Sequence, residues 1–310
     1  MPDDVQWAPM DPDPSGDGST DWGPPPAAKV ANPRTGPLPL HPMGLSDVLD
    51  GAFKLFKGNA RSVVLITAAF MVPIQLLTAF FQRDVLGGAG LSDLLNDPTA
   101  LGTAGGGSGS GLAGALVTVL ATVLVMPLVA GAVCRVVAAS YLREELSPGD
   151  AVRMVAPRWW AFAVAWFLVH LLEAIGTILL ILPGLLAMAL MVAVAPAIAI
   201  EGLGPIRAMK RSAGLVRGRI FRVLGIALAS GLLASAVGVA LGFVPQTAAV
   251  FIGLEWGWPL LAVGSVLTGV VVTPFVAIVA TLVYFDGRIR QEGLDLQVMA
   301  AELAGDHGRP

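Results

Sequence analysis

Six runs of apolar residues, separated by junctions that hold almost all of the positive charge, constrain this chain more than any other feature. A helix rises about 1.5 Å per residue, so roughly 20 residues cross a hydrocarbon core about 30 Å thick. The runs at 62–82, 111–135, 159–179, 183–200, 221–244 and 259–285 are near that length. Lipid offers no hydrogen bonds to a backbone, so each run has to satisfy its own N–H and C=O groups as a helix. The fold class follows: all-α, a polytopic membrane protein with six transmembrane helices. Hydrophobic residues make up 55% of the 310-residue chain and charged residues 13%. A soluble domain carries about 25% charged residues, so a soluble globular enzyme is excluded. The net charge of −3 speaks against nucleic acid as a partner. Cys134 is the one cysteine, and the three histidines (His41, His170, His307) are far apart. No metal and no cofactor is expected from that inventory.

Positive charge decides the orientation. Lys29, Arg34, Lys54, Lys57 and Arg61 precede the first span, and Arg135, Arg143, Arg153 and Arg158 lie between the second and third. Arg207, Lys210, Arg211, Arg217, Arg219 and Arg222 lie between the fourth and fifth, and Arg288, Arg290 and Arg309 follow the sixth. Of the 19 Lys and Arg residues, Arg83 alone falls on the opposite side. Cytoplasmic loops carry this excess, so the sequence predicts a bacterial inner-membrane protein with both termini in the cytoplasm. Trp159, Trp160, Tyr141 and Tyr284 are expected to mark the inner boundary, and Trp256 and Trp258 the outer one. Residues 1–40, rich in Pro, Asp, Gly and Ser, read as a disordered cytoplasmic tail. Residues 41–303 read as the membrane domain and 304–310 as a second short tail. The lipid bilayer is the expected partner, with membrane or cytoplasmic proteins beside it.

The spans also repeat. The even ones share V-x-P-x-[VI]-A: Val125 to Ala130 around Pro127, Val194 to Ala199 around Pro196, and Val272 to Ala277 around Pro274. A segment of mixed polarity precedes each odd span. In Leu45–Arg61, Leu45, Val48, Leu49, Ala52, Phe53 and Phe56 share a helical face. Ser147–Arg158 opens with Ser147 as an N-cap, Pro148 at the first helical position and Asp150 at the third. In Gly204–Arg219 the stripe is Ile206, Met209, Ala213 and Val216. The predicted unit is therefore an interfacial helix plus two spanning helices, three times over in parallel orientation. A proline inside a helix removes one hydrogen bond and kinks it. Pro127, Pro196 and Pro274 are thus candidate kinks lining a central bundle, or shaping its packing.

Few residues suggest chemistry. His170 and Glu173, at i, i+3, are the clearest ionisable pair inside a span, about 16 Å and 21 Å along the helix from Trp159. Facing a wet cavity they would suit a proton relay or ion site. Facing lipid or a dry contact, His170 stays neutral and Glu173 reaches for the outer interface. Ala227, Gly231, Ser235, Gly238 and Gly242 form a small-residue face for close helix packing, within the chain or between two copies. The turn between the third and fourth spans is expected at Leu180–Gly184, around Pro183-Gly184. Gly109–Gly114 fits G-x-G-x-x-G but opens a membrane span, so it reads as linker, and motifs for ATP, zinc-protease and serine-hydrolase chemistry are absent.

Three stretches carry a family resemblance: Met43–Phe53 (MGLSDVLDGAF), Glu201–Ser212 (EGLGPIRAMKRS) and Tyr284–Asp295 (YFDGRIRQEGLD). They resemble the actinobacterial multi-pass proteins of the "glycerophosphoryl diester phosphodiesterase membrane domain" type, over about residues 38–303. Enzymes of that family carry their phosphodiesterase in a separate soluble barrel with a His-Arg-Gly start, which this sequence lacks. The resemblance implies a membrane domain without known catalysis. The functional expectation is a non-enzymatic inner-membrane protein acting as anchor, scaffold or partner subunit in envelope physiology. The alternative is a small transporter or lipid-handling permease built on the kinked helices and the His170/Glu173 pair.

Overall fold

The computed structural model describes residues 43–87, 109–141 and 146–293; the two predicted tails, 1–40 and 304–310, lie outside the described residues. All described elements are helical. The first unit begins with α1 (Leu45–Gly58), whose N-terminus is closed by the Asp47 carboxylate accepting the Gly44 N–H at 2.7 Å. Asn59 ends α1 and starts α2 (Ala60–Gly87) almost without interruption. The return is α3 (Gly109–Leu120), a π-turn (Ala121–Val125) and α4 (Met126–Tyr141). The second unit is α5 (Pro148–Val155), a 3₁₀ turn (Ala156–Arg158), α6 (Trp159–Leu179), α7 (Ile181–Met191) and α8 (Val194–Glu201). The third is α9 (Pro205–Val216), α10 (Ile220–Ile252) and α11 (Leu254–Glu292). Six stretches are long and apolar enough to cross a membrane, so this is a multi-pass membrane protein. The order of short helix, span, span recurs three times, as the junctions predict.

The even spans form the middle. α11 packs against α10, α2, α4 and α1, and α4, α8 and α11 touch one another. Pro127, Pro196 and Pro274 are all buried there. A kink whose freed backbone groups face neighbouring helices instead of lipid is the tolerable kind. Locally the three differ. Before Pro127 the helix takes up its missing bond in a π-turn, where the Met126 N–H reaches back to the Ala121 carbonyl. Before Pro196 it breaks outright at Val192-Ala193. Ser212, from α9, closes that break: its hydroxyl accepts the Ala193 N–H at 3.1 Å and donates to the Leu190 carbonyl at 2.6 Å. Pro274 sits inside an unbroken helix.

Several expectations are corrected. The α6–α7 turn is not made by Pro183-Gly184. Leu180 alone is extended (φ −164°, ψ 148°), and Pro183 sits in the first turn of α7, where its missing N–H costs no helical bond. Gly184 is spent on contact instead: a Cβ on Gly176 would lie 2.9 Å from the Gly184 N, and one on Gly184 would lie 2.9 Å from the Thr177 N. Only two glycines let the antiparallel helices cross this closely. On α9 the buried face is Ala208, Ser212, Leu215 and Val216, while Ile206 is exposed. This face, rotated from the predicted stripe, turns Ser212 inward to the α7–α8 break. Tyr141 and Tyr284 do lie toward the basic ends of their helices, but both are buried within the protein, and Tyr141 stacks on Phe285 at 4.5 Å. Trp159 and Trp160 are half exposed, as residues facing a lipid boundary should be. The cap on α5 is as predicted, with Ser147 Oγ accepting the Asp150 N–H at 3.1 Å.

Hairpin lengths differ. α6, with 21 residues, reaches about 30 Å, just the thickness of the core. Its tip, Ile178 to Leu182, is wholly aliphatic and between 57% and 85% exposed. α10, with 33 residues, reaches about 50 Å and carries the α10–α11 turn at Gly253 well past the core.

Candidate functional site

The polar chemistry of the described helices gathers at the basic end of α11. Tyr284, Arg288 and Glu292 are spaced by four and share one face; Asp286 and Arg290, also four apart, share the next. Each face meets a different partner helix, so the last two turns of α11 clamp two parts of the molecule at once.

The first face engages α8 and α9. Glu201, the last residue of α8, accepts from Arg211 Nε at 2.8 Å and from the Tyr284 hydroxyl at 2.6 Å. Arg211 spans to a second carboxylate, Glu292, which also receives Arg288 Nε at 2.9 Å. Hydrogen bonding to Glu292, and then to Glu201, holds the Arg211 guanidinium above its already high range, against the opposing effect of partial burial. Gly202 follows Glu201 in the left-handed region (φ +69°), which ends α8 and frees the chain to turn into α9.

The second face engages the start of α1 and the α9–α10 junction. Asp286, with 7% of its side chain exposed, accepts the Met43 N–H at 2.9 Å, Arg219 Nη1 at 2.8 Å and Arg290 Nε at 2.8 Å. The Met43 carbonyl accepts from Arg290 Nη2 at 3.2 Å and from Arg222. Arg219 also donates to the Leu215 carbonyl at 2.8 Å, closing α9. Burial pushes the Arg219 guanidinium down from its ordinary value, and Asp286 opposes the shift. One carboxylate therefore ties residues 243 positions apart in sequence.

Chemically these carboxylates are acceptors already committed to guanidinium groups, which suits a clamp. The three stretches that carry the family resemblance meet here: Met43 from the first, Glu201 and Arg211 from the second, Tyr284 to Glu292 from the third. Sequence reasoning read these charges as membrane anchoring and missed their pairing. The available signal was the four-residue spacing of opposite charges through Tyr284–Glu292, set beside an isolated Glu201 in an otherwise basic loop.

The residues singled out for chemistry are not gathered with this cluster. His170 is exposed on α6, its ring stacked on Trp166 at 3.9 Å and its Nδ1 2.9 Å from the Trp166 carbonyl. Glu173 is partly buried one turn further on. The small-residue face of α10 divides: Thr268 of α11 donates to the Gly238 carbonyl at 3.0 Å and packs on Gly242, whereas a Cβ on Gly231 would meet nothing within 4 Å and Ser235 is exposed. Ala227 is partly buried. Cys134 is fully buried, its Sγ 3.9 Å from the Ala277 carbonyl, in the contact between α4 and α11.

A family model described as "Domain of unknown function (DUF7847)" matches residues 110–286. That span runs from α3 to the Asp286 of the clamp. No curated protein and no solved structure matches the chain. The likeness to the glycerophosphoryl diester phosphodiesterase membrane domain rests on the three motifs alone.

Proposed function

We propose that this chain, which belongs to the DUF7847 family, is a non-catalytic scaffold or partner subunit of the bacterial inner membrane, with its basic end and both termini in the cytoplasm. The observation that carries this reading is where its polar groups are spent. Glu201, Asp286 and Glu292 are taken up by arginines that fix α1, α8, α9 and α11 to one another. A permease usually places polar groups around a site near the midplane, formed by interrupted helices. Here the interruption before Pro196 is closed by Ser212 from within the protein. The transporter reading draws on His170 and Glu173, and the outward position of His170 takes that side chain away from the proline-bearing core.

A complementation assay separates the two. A deletion strain carrying the His170→Ala/Glu173→Gln double variant at wild-type protein level is expected to grow within about twofold of wild type under envelope stress, since neither side chain makes a structural bond across helices. Growth as poor as the deletion strain, with the variant present in the membrane, would contradict the scaffold reading and favour a relay.

A further inference from the structure

Apart from the clamp, the basic end holds a cleft of about 760 Å³ between the α1–α2 junction, the end of α4 and the start of α5. Ligand pockets commonly run to roughly 300–1,000 Å³. Its lining mixes polar residues (Asn59, Arg61, Ser62, Ser140 and Ser147) with apolar ones in about equal measure. Among the apolar lining residues is Leu65, one turn along α2 into the span and half exposed. The cleft therefore straddles the plane where span α2 leaves the apolar region.

Three features define what would bind. Arg61 makes no ion pair with any described residue, unlike the arginines of the clamp. Ser140 Oγ accepts from Asn59 Nδ2 at 3.1 Å, which leaves its own proton free to donate into the cleft. Arg61 and Ser62 lie in the first turn of α2, and both line the cleft. A guanidinium beside a hydroxyl donor makes an acceptor-oxygen site, and phosphate is a group that such a pair holds well.

The source of the phosphate follows from the rest of the lining. Asp150 stands at the rim, where Ser147 donates to it at 2.6 Å and Arg153 approaches to 3.5 Å. A carboxylate so close disfavours a dianion and tolerates the single charge of a phosphodiester. Leu65 provides a lipid-facing apolar contact beside Arg61, which a free phosphate would leave unused. We propose that this cleft binds the headgroup phosphodiester of an anionic phospholipid from the surrounding leaflet, with Arg61 as its charged contact. The inference does not depend on the scaffold reading; it gives that scaffold a lipid ligand.

Native mass spectrometry of the full chain in detergent provides the test. Phosphatidylglycerol, phosphatidylcholine with the same acyl chains, and inorganic phosphate are titrated separately. Tighter binding of phosphatidylglycerol than of phosphatidylcholine is expected, and Arg61→Gln should weaken phosphatidylglycerol about tenfold, the size of one lost charge-assisted contact. Lys57→Gln, an exposed cation at the end of α1, should leave it unchanged. Should Arg61→Gln lower the melting temperature, Leu65→Trp takes its place. It fills the apolar lining without removing a hydrogen bond and should also weaken phosphatidylglycerol severalfold. Wild-type affinity in Arg61→Gln or Leu65→Trp, equal binding of the two lipids, or displacement of phosphatidylglycerol by millimolar phosphate would overturn the proposal.

Discussion

Asp286→Ala is expected to destabilise the folded protein by about 3–5 kcal/mol, the cost of removing one partner from a buried ionic cluster. The carboxylate is nearly inaccessible and receives three donors: the Met43 amide, Arg219 and Arg290. Its loss leaves two guanidinium groups close together with no counter-charge, beside an amide with no acceptor. Desolvation of those groups, and not the net worth of the ion pairs, makes the effect large. Asp286→Asn should fall between, since an amide oxygen still accepts while the charge is gone. The exposed pair Lys54–Asp50 is the internal control, and Lys54→Ala should change stability by no more than about 1 kcal/mol. Thermal unfolding in detergent, followed by tryptophan fluorescence, reads all three. Equal midpoints for Asp286→Ala and Lys54→Ala would refute the clamp.

The second large effect belongs to the α6–α7 crossing. Gly184→Val is expected to cost upward of about 3 kcal/mol, the top of the usual range for overpacking. A Cβ at Gly184 would press on the backbone of Thr177, its N at 2.9 Å and its Cα at 3.0 Å, and on the Thr177 hydroxyl. Backbone cannot step aside as a flexible side-chain tip would. The hydroxyl is also held, donating to the Glu173 carbonyl at 2.7 Å. Gly231→Ala is the contrasting case: nothing lies within 4 Å of its added methyl, and the substitution should be neutral or stabilising by up to about 1 kcal/mol through helix propensity. The same unfolding assay distinguishes them, and a Gly184→Val variant as stable as wild type would mean that the hairpin does not cross as described.

What could be read from the sequence was what depends on periodicity and length. Six spans, the threefold order of short helix and helix pair, the Ser147 cap and the burial of Pro127, Pro196 and Pro274 all follow from local pattern plus the demand that lipid-embedded backbone satisfy itself. What escaped depends on partners distant in the chain. Pro183-Gly184 looked like a turn because that dipeptide usually is one, yet the glycine was selected by Gly176 and Thr177 across the crossing. The α9 stripe was misjudged by about one residue because a polar Ser212 is buried there to serve another helix. Tyr284 looked like a boundary aromatic because its partner, Glu201, lies 83 residues away. The candidate site suffered most for the same reason. Its charges were visible, but nothing local told anchoring arginines from clamping ones.

Labelling of single cysteines by a membrane-impermeant maleimide, in a Cys134→Ala background, tests the six-span arrangement with its basic end inside most directly. Arg217→Cys, exposed in the α9–α10 junction, should react only after the cells are permeabilised. Trp256→Cys, beyond the reach of the core on the α10–α11 hairpin, should react in intact cells. Leu180→Cys, on the aliphatic α6–α7 tip, should react in neither, because that hairpin is only about as long as the core is thick. Labelling of Arg217→Cys in intact cells, or equal labelling of Arg217→Cys and Trp256→Cys from one side, would contradict the arrangement.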